Sequence, residues 1–558
     1  MTRKKQSDKA AQKTGFSKER TEADHDSQQF VHESKLKALN HIKKGELKLA
    51  ESIYVELINR RNDDADILAN YGLLLMKQHR FKEALVHLQR SVQLNSKHYQ
   101  AWNSMGSTFR YQERLQDAIK AYQWAISLNP RYGDAWNNLG ISLRETGQLQ
   151  ASMEAHRAAI NLNSAEPAGY ELLGITQRAA NQLSDSIKSY KHALSLKPNS
   201  PKTLFNLGNA LHESGDFFSA RRAYEKSLEL NPDQPDVHNN LSINLLMSGQ
   251  YEDGWKEYRW RFNKHNHKPI AIPDCPLWPE KPLKKGEHLL LVAEQGLGDT
   301  LQFIRYASLM QMQGLKISIC CDPKLHYLIR LSEISTSPLS PEEVSQLQFD
   351  HWMPLLSIGE YLNISPEGPS VKQPYLSTSS ELKAYWQHRL GCSQKPIIAV
   401  NWQGNPLTET NFLKGRSIPL NLFAPLAELD ISLLSLQKGH GMEQLASCQF
   451  RHRFTEYQDQ INETWCFAET AAILQQCDLL ITSDTALAHL SGGLGLPTWL
   501  LLKHTPDWRW GPTGQTTFWY PTMRLFRQSI AYDWSQVMMD VKAALQEWCS
   551  YHPKKHDL

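Results

Sequence analysis

The first half of the chain repeats small and large apolar residues at a constant step of 34. Glycine returns at that step at Gly72, Gly106, Gly140, Gly174 and Gly208. A small residue keeps the same step from Ala50 to Gly254, and a larger residue, often tyrosine, follows it by four positions. Small residues let two helices approach closely, and the larger ones fill the remaining groove. The pattern predicts helix-turn-helix units stacked into an α-solenoid over residues 30–263, because one unit cannot bury its own apolar face.

The segment AWNSMGSTFRYQERLQDAIKAYQWAISLNP resembles a known repeat family. It matches the tetratricopeptide repeat at Trp102, Gly106, Ala118, Tyr122, Ala125 and Pro130. The resemblance implies a right-handed solenoid with a concave inner surface.

Asparagine recurs at the sixth position of the unit, as Asn70, Asn138, Asn206 and Asn240. Asparagine is a modest helix former, so its return on one helix face needs a reason. One interpretation is a solvent-facing polar position or a local cap. The other follows from a resemblance to the repeat region of O-GlcNAc transferases, where an asparagine ladder binds a polypeptide. That resemblance implies a protein or peptide acceptor in the repeat groove, since an amide both donates and accepts hydrogen bonds.

Short apolar runs alternate with helical segments after His288. The runs are HLLLVA, LKISICC, PIIAVNW, ISLLSLQ, CDLLITS and PTWLLL. This alternation predicts parallel sheets covered by helices. We expect a linker or strap at 264–285 and two Rossmann-type halves at 286–392 and 393–550, the second binding the donor. Such halves enclose a cleft at the carboxyl ends of their strands, the arrangement called GT-B in glycosyltransferases. Residues 1–29 and 551–558 are interpreted as a disordered polar tail and a short C-terminal tail.

The charge and the lengths of the apolar runs limit the classes of partner that the chain is expected to bind. Lys plus Arg total 61 against 58 acidic residues, so the net charge of +3 gives no general electrostatic case for nucleic acid. The apolar runs are shorter than the ~20 residues of a membrane helix, and no apolar stretch follows the charged N-terminus. We therefore expect a cytoplasmic protein without a transmembrane segment. Its oligomeric state stays open.

The segment AEQGLGDTLQFIRY places Asp299 at a strand-to-helix turn. Gly296 and Gly298 permit a tight turn there. A dinucleotide site needs a third glycine where Leu301 stands, so an oxidoreductase remains only a weak alternative. Asp299 is either a helix N-cap or a catalytic group. The second interpretation rests on a resemblance to lipopolysaccharide heptosyltransferases, glycosyltransferase family 9, which implies that Asp299 is the general base of an inverting transfer.

The segment CDLLITSDTALAHLSGGLGLPTWLLL is the most specific pattern of the second half. A strand delivers Ser483 and Asp484 to a helix start, and such a terminus suits a diphosphate. Ser483 and Asp484 are alternatively caps, and His489 a buried structural histidine. The run SDTALAH resembles the donor-site segment of heptosyltransferases. It implies that Thr485 and Ala486 hold the diphosphate near His489, while Asp484 contacts sugar or ribose hydroxyls. Ala486 stands where those enzymes often have glycine, which leaves its contact open.

Two further strand-to-loop segments carry basic residues that could neutralise the donor diphosphate. Arg416 in NFLKGRSIPL matches the related enzymes' phosphate-neutralising cation, with Lys414 as a second candidate and a surface basic pair as the alternative. Lys438 in SLQKGHG is another candidate that faces the donor. The aromatic run TPDWRWG, residues 505–511, is either an acceptor subsite or a lid.

No acidic D-x-D segment occurs in the second half to hold a divalent cation. Asp64 and Asp66 have that spacing, but they lie at a predicted helix start and are interpreted as caps. We therefore expect no metal and no cofactor, the nucleotide-sugar being a substrate.

The combined expectation is a metal-independent inverting glycosyltransferase, of hexosyl- or heptosyltransferase type. Its repeat array would present an acceptor, which we expect to be a polypeptide. The alternative is a protein-interaction scaffold with a catalytically degenerate transferase domain.

Overall fold

The computed structural model describes residues 29–60, 63–264, 268–279, 282–294, 296–371, 373–409 and 415–551. Residues 1–28 and 552–558 of the predicted tails, and the candidate Lys414, lie outside the described residues. The chain divides into two compact units between Ala210 and Leu211.

The first unit is a succession of helices joined by short turns. They are α1 (29–43), α2 (Leu47–Arg60), α3 (Ala65–Lys77), α4 (Phe81–Leu94), α5 (Tyr99–Tyr111), α6 (Leu115–Leu128), α7 (Gly133–Glu145), α8 (Leu149–Leu162), α9 (Pro167–Ala179), α10 (Leu183–Leu196) and the start of α11 (Pro201–Glu213). Within each repeat the first helix packs most closely on the second, as α3 does on α4 and α5 on α6. A Cβ on Gly106 would overlap the Tyr122 ring, and one on Gly140 would overlap the His156 ring. The predicted helical solenoid is confirmed, and its glycines mark the closest helix approaches.

The second unit begins with helices that continue the repeat. They are the end of α11, α12 (Phe217–Leu230), α13 (Pro235–Met247) and α14 (Tyr251–Tyr258), followed by a 3-10 turn at Arg259–Asn263. Arg261 donates two hydrogen bonds of 2.9 Å to the carboxylate of Glu294, a residue just after the strand at His288–Val292. Both side chains are buried. Trp255 Nε1 donates to the Ile364 carbonyl at 2.8 Å. The last helices therefore share a core with the α/β region.

Two parallel sheets form that region. The first has three strands in the order β2-β1-β3, with β1 at His288–Val292, β2 at Lys316–Cys320 and β3 at His351–Pro354. The second has the order β5-β4-β6-β7-β8, with β4 at Ile397–Asn401, β5 at Ser432–Ser435, β6 at Leu479–Ser483, β7 at Thr498–Leu502 and β8 at Met523–Arg527. Parallel sheets covered by helices are thus confirmed.

Nine helices of the described residues accompany these sheets. They are α15 (Leu297–Phe303), α16 (Ala307–Met312), α17 (His326–Leu331), α18 (Ile358–Tyr361), α19 (Ser380–Leu390), α20 (Gln458–Glu463), α21 (Phe467–Leu474), α22 (Ala486–Gly493) and α23 (Ser535–Tyr551). One core joins the first sheet to one face of the second, and a separate core lies between the other face and α23. Both faces of the five-stranded sheet are therefore covered.

The structure adds two strands to the six expected ones, β3 and β8. The segment expected as a linker or strap runs beside β3, where Trp278 N donates to the Trp352 carbonyl at 2.8 Å and Trp352 N donates to the Pro276 carbonyl at 3.0 Å. These bonds pair part of the strap with the edge of the first sheet.

Candidate active site

The loop after β1 brings Asp299 into the first turn of α15. Gly296 is the N-cap residue of this helix, and Asp299 lies three positions further, in the first turn. Asp299 is therefore not the N-cap residue itself. A Cβ on Gly296 would overlap the Asp299 carboxylate, and one on Gly298 would lie 2.8 Å from His489 Cδ2. Gly296 has φ −96, so these glycines serve close approach rather than a left-handed turn.

Asp299 pairs with an arginine from the TPDWRWG segment. Arg509 Nη2 donates to Asp299 Oδ1 at 2.5 Å, its Nη1 donates to Asp507 Oδ1 at 2.8 Å, and its Nε donates to Gln302 Oε1 at 2.7 Å. The Arg509 side chain is only 8% exposed, whereas that of Asp299 is 33% exposed. This buried guanidinium is therefore fully engaged, while the Asp299 carboxylate still reaches solvent.

A second arginine fixes the loop that carries Arg509. The Arg527 guanidinium, at the end of β8, donates to the carbonyls of Trp510 at 2.6 Å, Gly511 at 2.9 Å and Thr513 at 3.1 Å, and its Nε donates to Gly514 at 2.8 Å. Four carbonyls on one side chain hold residues 510–514 in place. The TPDWRWG segment thus supplies a fixed buried partner for Asp299, a contact that neither sequence interpretation of it anticipated.

The second motif lies at the carboxyl end of β6. Thr485 is the N-cap residue of α22, but its Oγ1 donates to Asn401 Oδ1 at 3.0 Å instead of capping the helix. Asn401 Nδ2 in turn donates to Gln437 Oε1 at 2.8 Å, so the ends of β4, β5 and β6 are cross-linked. Ser483 Oγ is fully buried and has no hydrogen-bond partner among the described residues. The first N–H groups of α22 are therefore not used by a side-chain cap.

Asp484 lies between charges of both signs. Burial and the neighbouring Asp507 raise the pKa of Asp484 to about 6, against the opposing effect of Arg416 and Arg509. Arg416 packs against Gly404 and lies 3.5 Å from the Glu409 carboxylate, measured from Nε to Oε1. Arg416, Asp484 and the Arg509 network thus belong to one electrostatic cluster, and Asp484 gains a proton more readily than an ordinary aspartate.

His489 joins the two motifs. Its Nδ1 lies 2.9 Å from the Tyr520 hydroxyl, its ring stacks on Trp510 at 5.5 Å, and its other edge faces Gly298. Burial, followed by Arg509 and Arg305, lowers the pKa of His489 well below its usual value. The imidazole is therefore neutral and lies at the contact between α15 and α22. This contact joins the helix that carries Asp299 to the helix that follows Asp484, and the two residues come from different sheets.

Lys438 lies further along the same sheet edge. Its Nζ donates to the Ile461 carbonyl and lies 5.9 Å from the centre of the Trp465 ring, and burial lowers the pKa of Lys438 to about 8. Trp465 is 63% exposed. Lys438 follows β5, two strand positions from β6, which corresponds to about 10 Å at the usual strand spacing. The cation is thus separated from the α22 terminus, although both occupy the carboxyl edge.

The asparagines of the array differ in their surroundings. Asn70, Asn138 and Asn206 are half-buried on α3, α7 and α11. Asn138 Nδ2 donates to Asn103 Oδ1 at 3.0 Å, so part of its amide is engaged within the array. Asn240, on α13 of the second unit, is 9% exposed and accepts a bond of 3.4 Å from Asn239 Nδ2.

Neither a metal-binding cluster nor a membrane-spanning helix is found among the described residues. Within them, no group of three or more His, Cys, Asp or Glu side chains is arranged to hold a metal ion. Asp64 Oδ1 accepts from the backbone N–H groups of Asp66 at 2.9 Å and Ile67 at 3.0 Å, which confirms Asp64 as a cap. Among the described residues, no helix is both long and apolar enough to cross a bilayer.

Two residues of the cluster, Asn401 and Gln437, escaped sequence reasoning, and Arg509 was singled out only as part of the TPDWRWG segment, without its partner. Asn401 and Gln437 are polar residues at the ends of apolar strand runs, which is where parallel sheets bind ligands. That signal was present in the sequence. Arg509 is 210 positions from Asp299, and no local pattern predicts their pairing.

Comparisons with known proteins concern mainly the helical half. Models of the tetratricopeptide repeat match residues 103–168 and 201–234, and a TPR repeat model matches 176–215. Protein FlbA of Caulobacter vibrioides is 23% identical over 335 residues, which cover 53% of each chain. The chain thus spans about half the length of this curated relative.

Solved structures are similar to part of this chain as well. A tetratricopeptide repeat protein from Parabacteroides merdae is 14% identical and covers 42% of this chain and 94% of its own, with a TM-score of 0.36. The APC/C hetero-tetramer Cut9–Hcn1 is 20% identical over 39% of this chain and 42% of its own, with a TM-score of 0.35. YrrB, described as a TPR protein with an unusual peptide-binding site, is 18% identical over 33% of this chain and 95% of its own, with a TM-score of 0.28. The family models identify tetratricopeptide repeats over residues 103–168 and 176–234 of the helical array.

Proposed function

We propose that the α/β region is a metal-independent inverting glycosyltransferase of the GT-B plan, which uses a nucleotide-sugar donor. The observation that carries the proposal is the contact between α15 and α22. It joins the three-stranded half, which carries Asp299, to the five-stranded half, which carries Asp484, and Arg509 bonds to Asp299 and acts electrostatically on Asp484. A cleft between two parallel α/β halves is a favoured place for a ligand, because strand ends and helix N-termini converge there.

The donor diphosphate would lie at the N-terminus of α22. Uncapped N–H groups and the positive end of the helix dipole attract an anion, and the buried Ser483 hydroxyl is available as a further donor. Arg416 contributes positive charge near Asp484. The raised pKa of Asp484 also helps, because a protonated carboxyl does not repel phosphate.

The nucleoside would extend along the sheet edge toward Lys438 and Trp465. An exposed tryptophan offers a face on which a nucleobase stacks. The separation of about 10 Å between β5 and β6 suits a ligand whose base and diphosphate bind at different strands.

Asp299 would accept the proton of the acceptor. Its pairing with Arg509 orients the carboxylate, and its partial exposure leaves it accessible to an acceptor. In an inverting transfer the acceptor oxygen attacks the anomeric carbon, the bond to the diphosphate breaks, and the acceptor proton passes to the base. The α22 terminus and Arg416 would stabilise the charge that collects on the leaving diphosphate.

The acceptor would be a protein or peptide bound by the repeats. This part of the proposal rests on the resemblance to O-GlcNAc transferases and on Asn70, Asn138, Asn206 and Asn240. The quadruple change of these residues to alanine should reduce transfer to a protein acceptor while donor hydrolysis persists.

The test is a panel of nucleotide-sugars offered to the full chain. Release of nucleoside diphosphate and thermal stabilisation are measured for each donor. The proposal expects at least one donor to stabilise the protein and to be hydrolysed slowly without acceptor. If no donor produces either effect, the proposal is overturned.

A scaffold with a degenerate transferase domain is the second candidate. The Asp299–Arg509 pair favours it, because a carboxylate held by a guanidinium is a weaker base. The same panel separates the two functions, since the scaffold predicts donor binding without turnover, or no binding at all.

A further inference from the structure

A chain of hydrogen bonds runs from the contact between α15 and α22 into the core. His489 Nδ1 lies 2.9 Å from the Tyr520 hydroxyl. Tyr520 is hydrogen-bonded through its side chain to Tyr375, whose own hydroxyl donates to the Leu301 carbonyl at 2.8 Å. His489 is 5% exposed and Tyr520 is fully buried, so water hardly competes for their bond. Neither tyrosine has a role in the proposed transfer.

The last acceptor of this chain sets the direction of every bond in it. A backbone carbonyl only accepts, so Tyr375 donates its proton to Leu301 and can only accept from Tyr520. Tyr520 therefore donates to Tyr375 and accepts from His489, which places a proton on Nδ1. In the opposite direction two hydroxyl oxygens would face each other with no proton between them. Burial raises the pKa of Tyr375, and raises that of Tyr520 well above its usual value, so both hydroxyls keep their protons.

An arginine holds the two tyrosine rings in place. The Arg305 guanidinium lies 4.6 Å from the centre of the Tyr375 ring and 4.4 Å from that of the Tyr520 ring. Its Nη1 donates to the Trp519 carbonyl at 2.9 Å, which fixes the guanidinium itself. A cation over an aromatic face is attracted to it, so both rings are held against Arg305.

The other nitrogen of His489 is left as a hydrogen-bond acceptor. Burial lowers the pKa of His489 well below its usual value, so a ring that is protonated on Nδ1 carries a lone pair on Nε2. This edge of the ring faces Gly298 in the first turn of α15, where a Cβ would lie 3.5 Å from Nε2. A lone pair repels a phosphate oxygen, which also only accepts, but it accepts the proton of a hydroxyl.

We propose that Tyr375 and Tyr520 are positioning residues that hold His489 in its Nδ1–H tautomer, so that Nε2 accepts a hydrogen bond from a hydroxyl of the transferred sugar. The assignment to the sugar rests on the proposed function, in which the diphosphate lies at the N-terminus of α22 and the base Asp299 lies on α15. The sugar then lies between the diphosphate and the base, and His489 lies where these two helices meet. His489 thus contributes to recognition of the sugar and not to phosphate binding.

The tautomer is measured in long-range proton–nitrogen correlation spectra of the full chain with isotope-labelled histidine, in which protonated and unprotonated ring nitrogens differ in shift. The His489 signals are those missing from His489→Gln. We expect the proton on Nδ1 in the wild-type protein. Tyr375→Phe should move that proton to Nε2, because Tyr520 then loses its acceptor and donates to Nδ1 instead.

Tyr306→Phe is the matched control. Tyr306 is also buried beside Arg305, with 5.9 Å between the guanidinium and the ring centre, but its hydroxyl takes no part in the chain. This variant should keep the proton on Nδ1. A wild-type proton on Nε2, a proton that stays on Nδ1 in Tyr375→Phe, or the same change in both variants would overturn the proposal.

Calorimetry tests the assignment of Nε2 to the sugar. For the donor that the panel identifies, Tyr375→Phe should weaken binding by about two- to tenfold, the range for one neutral hydrogen bond. The affinity for the corresponding nucleoside diphosphate should not change, and an equal loss for both ligands would overturn the assignment. If no donor binds at all, the proposed function fails and the sugar assignment with it, while the spectra still decide the direction of the hydrogen-bond chain.

Discussion

Two half-buried or buried arginines, one in each unit, have opposite surroundings. The Nη1 atom of Arg144 in the array has no hydrogen-bond partner among the described residues, and Arg110 and Arg178 lie near this side chain, whereas Arg509 in the α/β region bonds to Asp299, Asp507 and Gln302. The partners of Arg509 all lie within the α/β region, whereas the described residues supply none for Arg144 Nη1. The difference teaches that a buried guanidinium can be fixed by carboxylates from distant segments in one unit and left without such a carboxylate in the other.

The largest expected effect is on transfer through Asp299. Asp299→Asn should lower the rate of sugar transfer by ~10²–10⁴, the usual contribution of a general base, while donor affinity stays within a few fold. Steady-state turnover and calorimetric titration with the donor identified in the panel measure the two quantities. Asp322→Asn is the control, because Asp322 follows β2 and caps the next turn, a role that asparagine also fills. Unchanged turnover in Asp299→Asn would leave this residue a purely structural partner of Arg509.

The free energy of unfolding tests whether Arg509 and Arg144 differ in their surroundings. Arg509→Met should reduce the free energy of unfolding by about 3 kcal/mol, the lower range for breaking a buried ion pair, since it leaves Asp299 and Asp507 uncompensated. Arg144→Gln should cost no stability under the same chemical denaturation. If both substitutions destabilise equally, the two arginines do not differ as proposed.

Donor binding should depend on Arg416. Arg416→Ala should weaken donor binding by about 1.5–3 kcal/mol, the range for a lost hydrogen bond to a charged group. Calorimetry measures the change in donor affinity. Arg524→Ala is a suitable control, because Arg524 lies on β8 and its guanidinium packs against the rings of Trp499 and Phe526. Wild-type affinity in Arg416→Ala would move the diphosphate away from this loop.

The smallest effect concerns pH. Because the pKa of Asp484 is raised to about 6 in the folded chain, this residue is mostly protonated below that pH and ionised above it. Its unfavourable contribution to stability grows as pH rises from the unfolded pKa near 4 through 6. An ionised Asp484 also repels the diphosphate, so donor affinity should fall by roughly a few fold between about pH 5 and pH 7.

A nucleotide-sugar diphosphate does not itself titrate in this range, which isolates the protein's contribution. Calorimetry at both pH values should show a flat profile for Asp484→Asn. A slope that persists in that variant would assign the titration to another group.

The array was predictable from the sequence because each repeat makes the same local contacts. Gly106 and Tyr122 recur in kind every 34 residues, so periodicity alone reports their packing. Six strands were predictable from continuous apolar runs. Strand β3 was not, because HWMP has a polar start and four residues, nor was β8, in which two arginines interrupt the apolar pattern.

The candidate cluster was predictable only in part. Asp299, Asp484 and Thr485 follow strands, and local motifs therefore point to them. The bond from Thr485 to Asn401 joins residues 84 positions apart, and that from Arg509 to Asp299 joins residues 210 apart. Such pairs follow from the order of strands in the sheets and from the α15–α22 contact, which a single sequence does not encode as a repeated pattern.

The central claim is that the two motifs serve one ligand, and amide hydrogen exchange tests it most directly. The full chain is compared with and without a saturating nucleotide-sugar. The account predicts slower exchange at residues 297–303 and at 485–493 together, with little change in the first unit. Donor binding that protects neither segment, or only one of them, would contradict the claim.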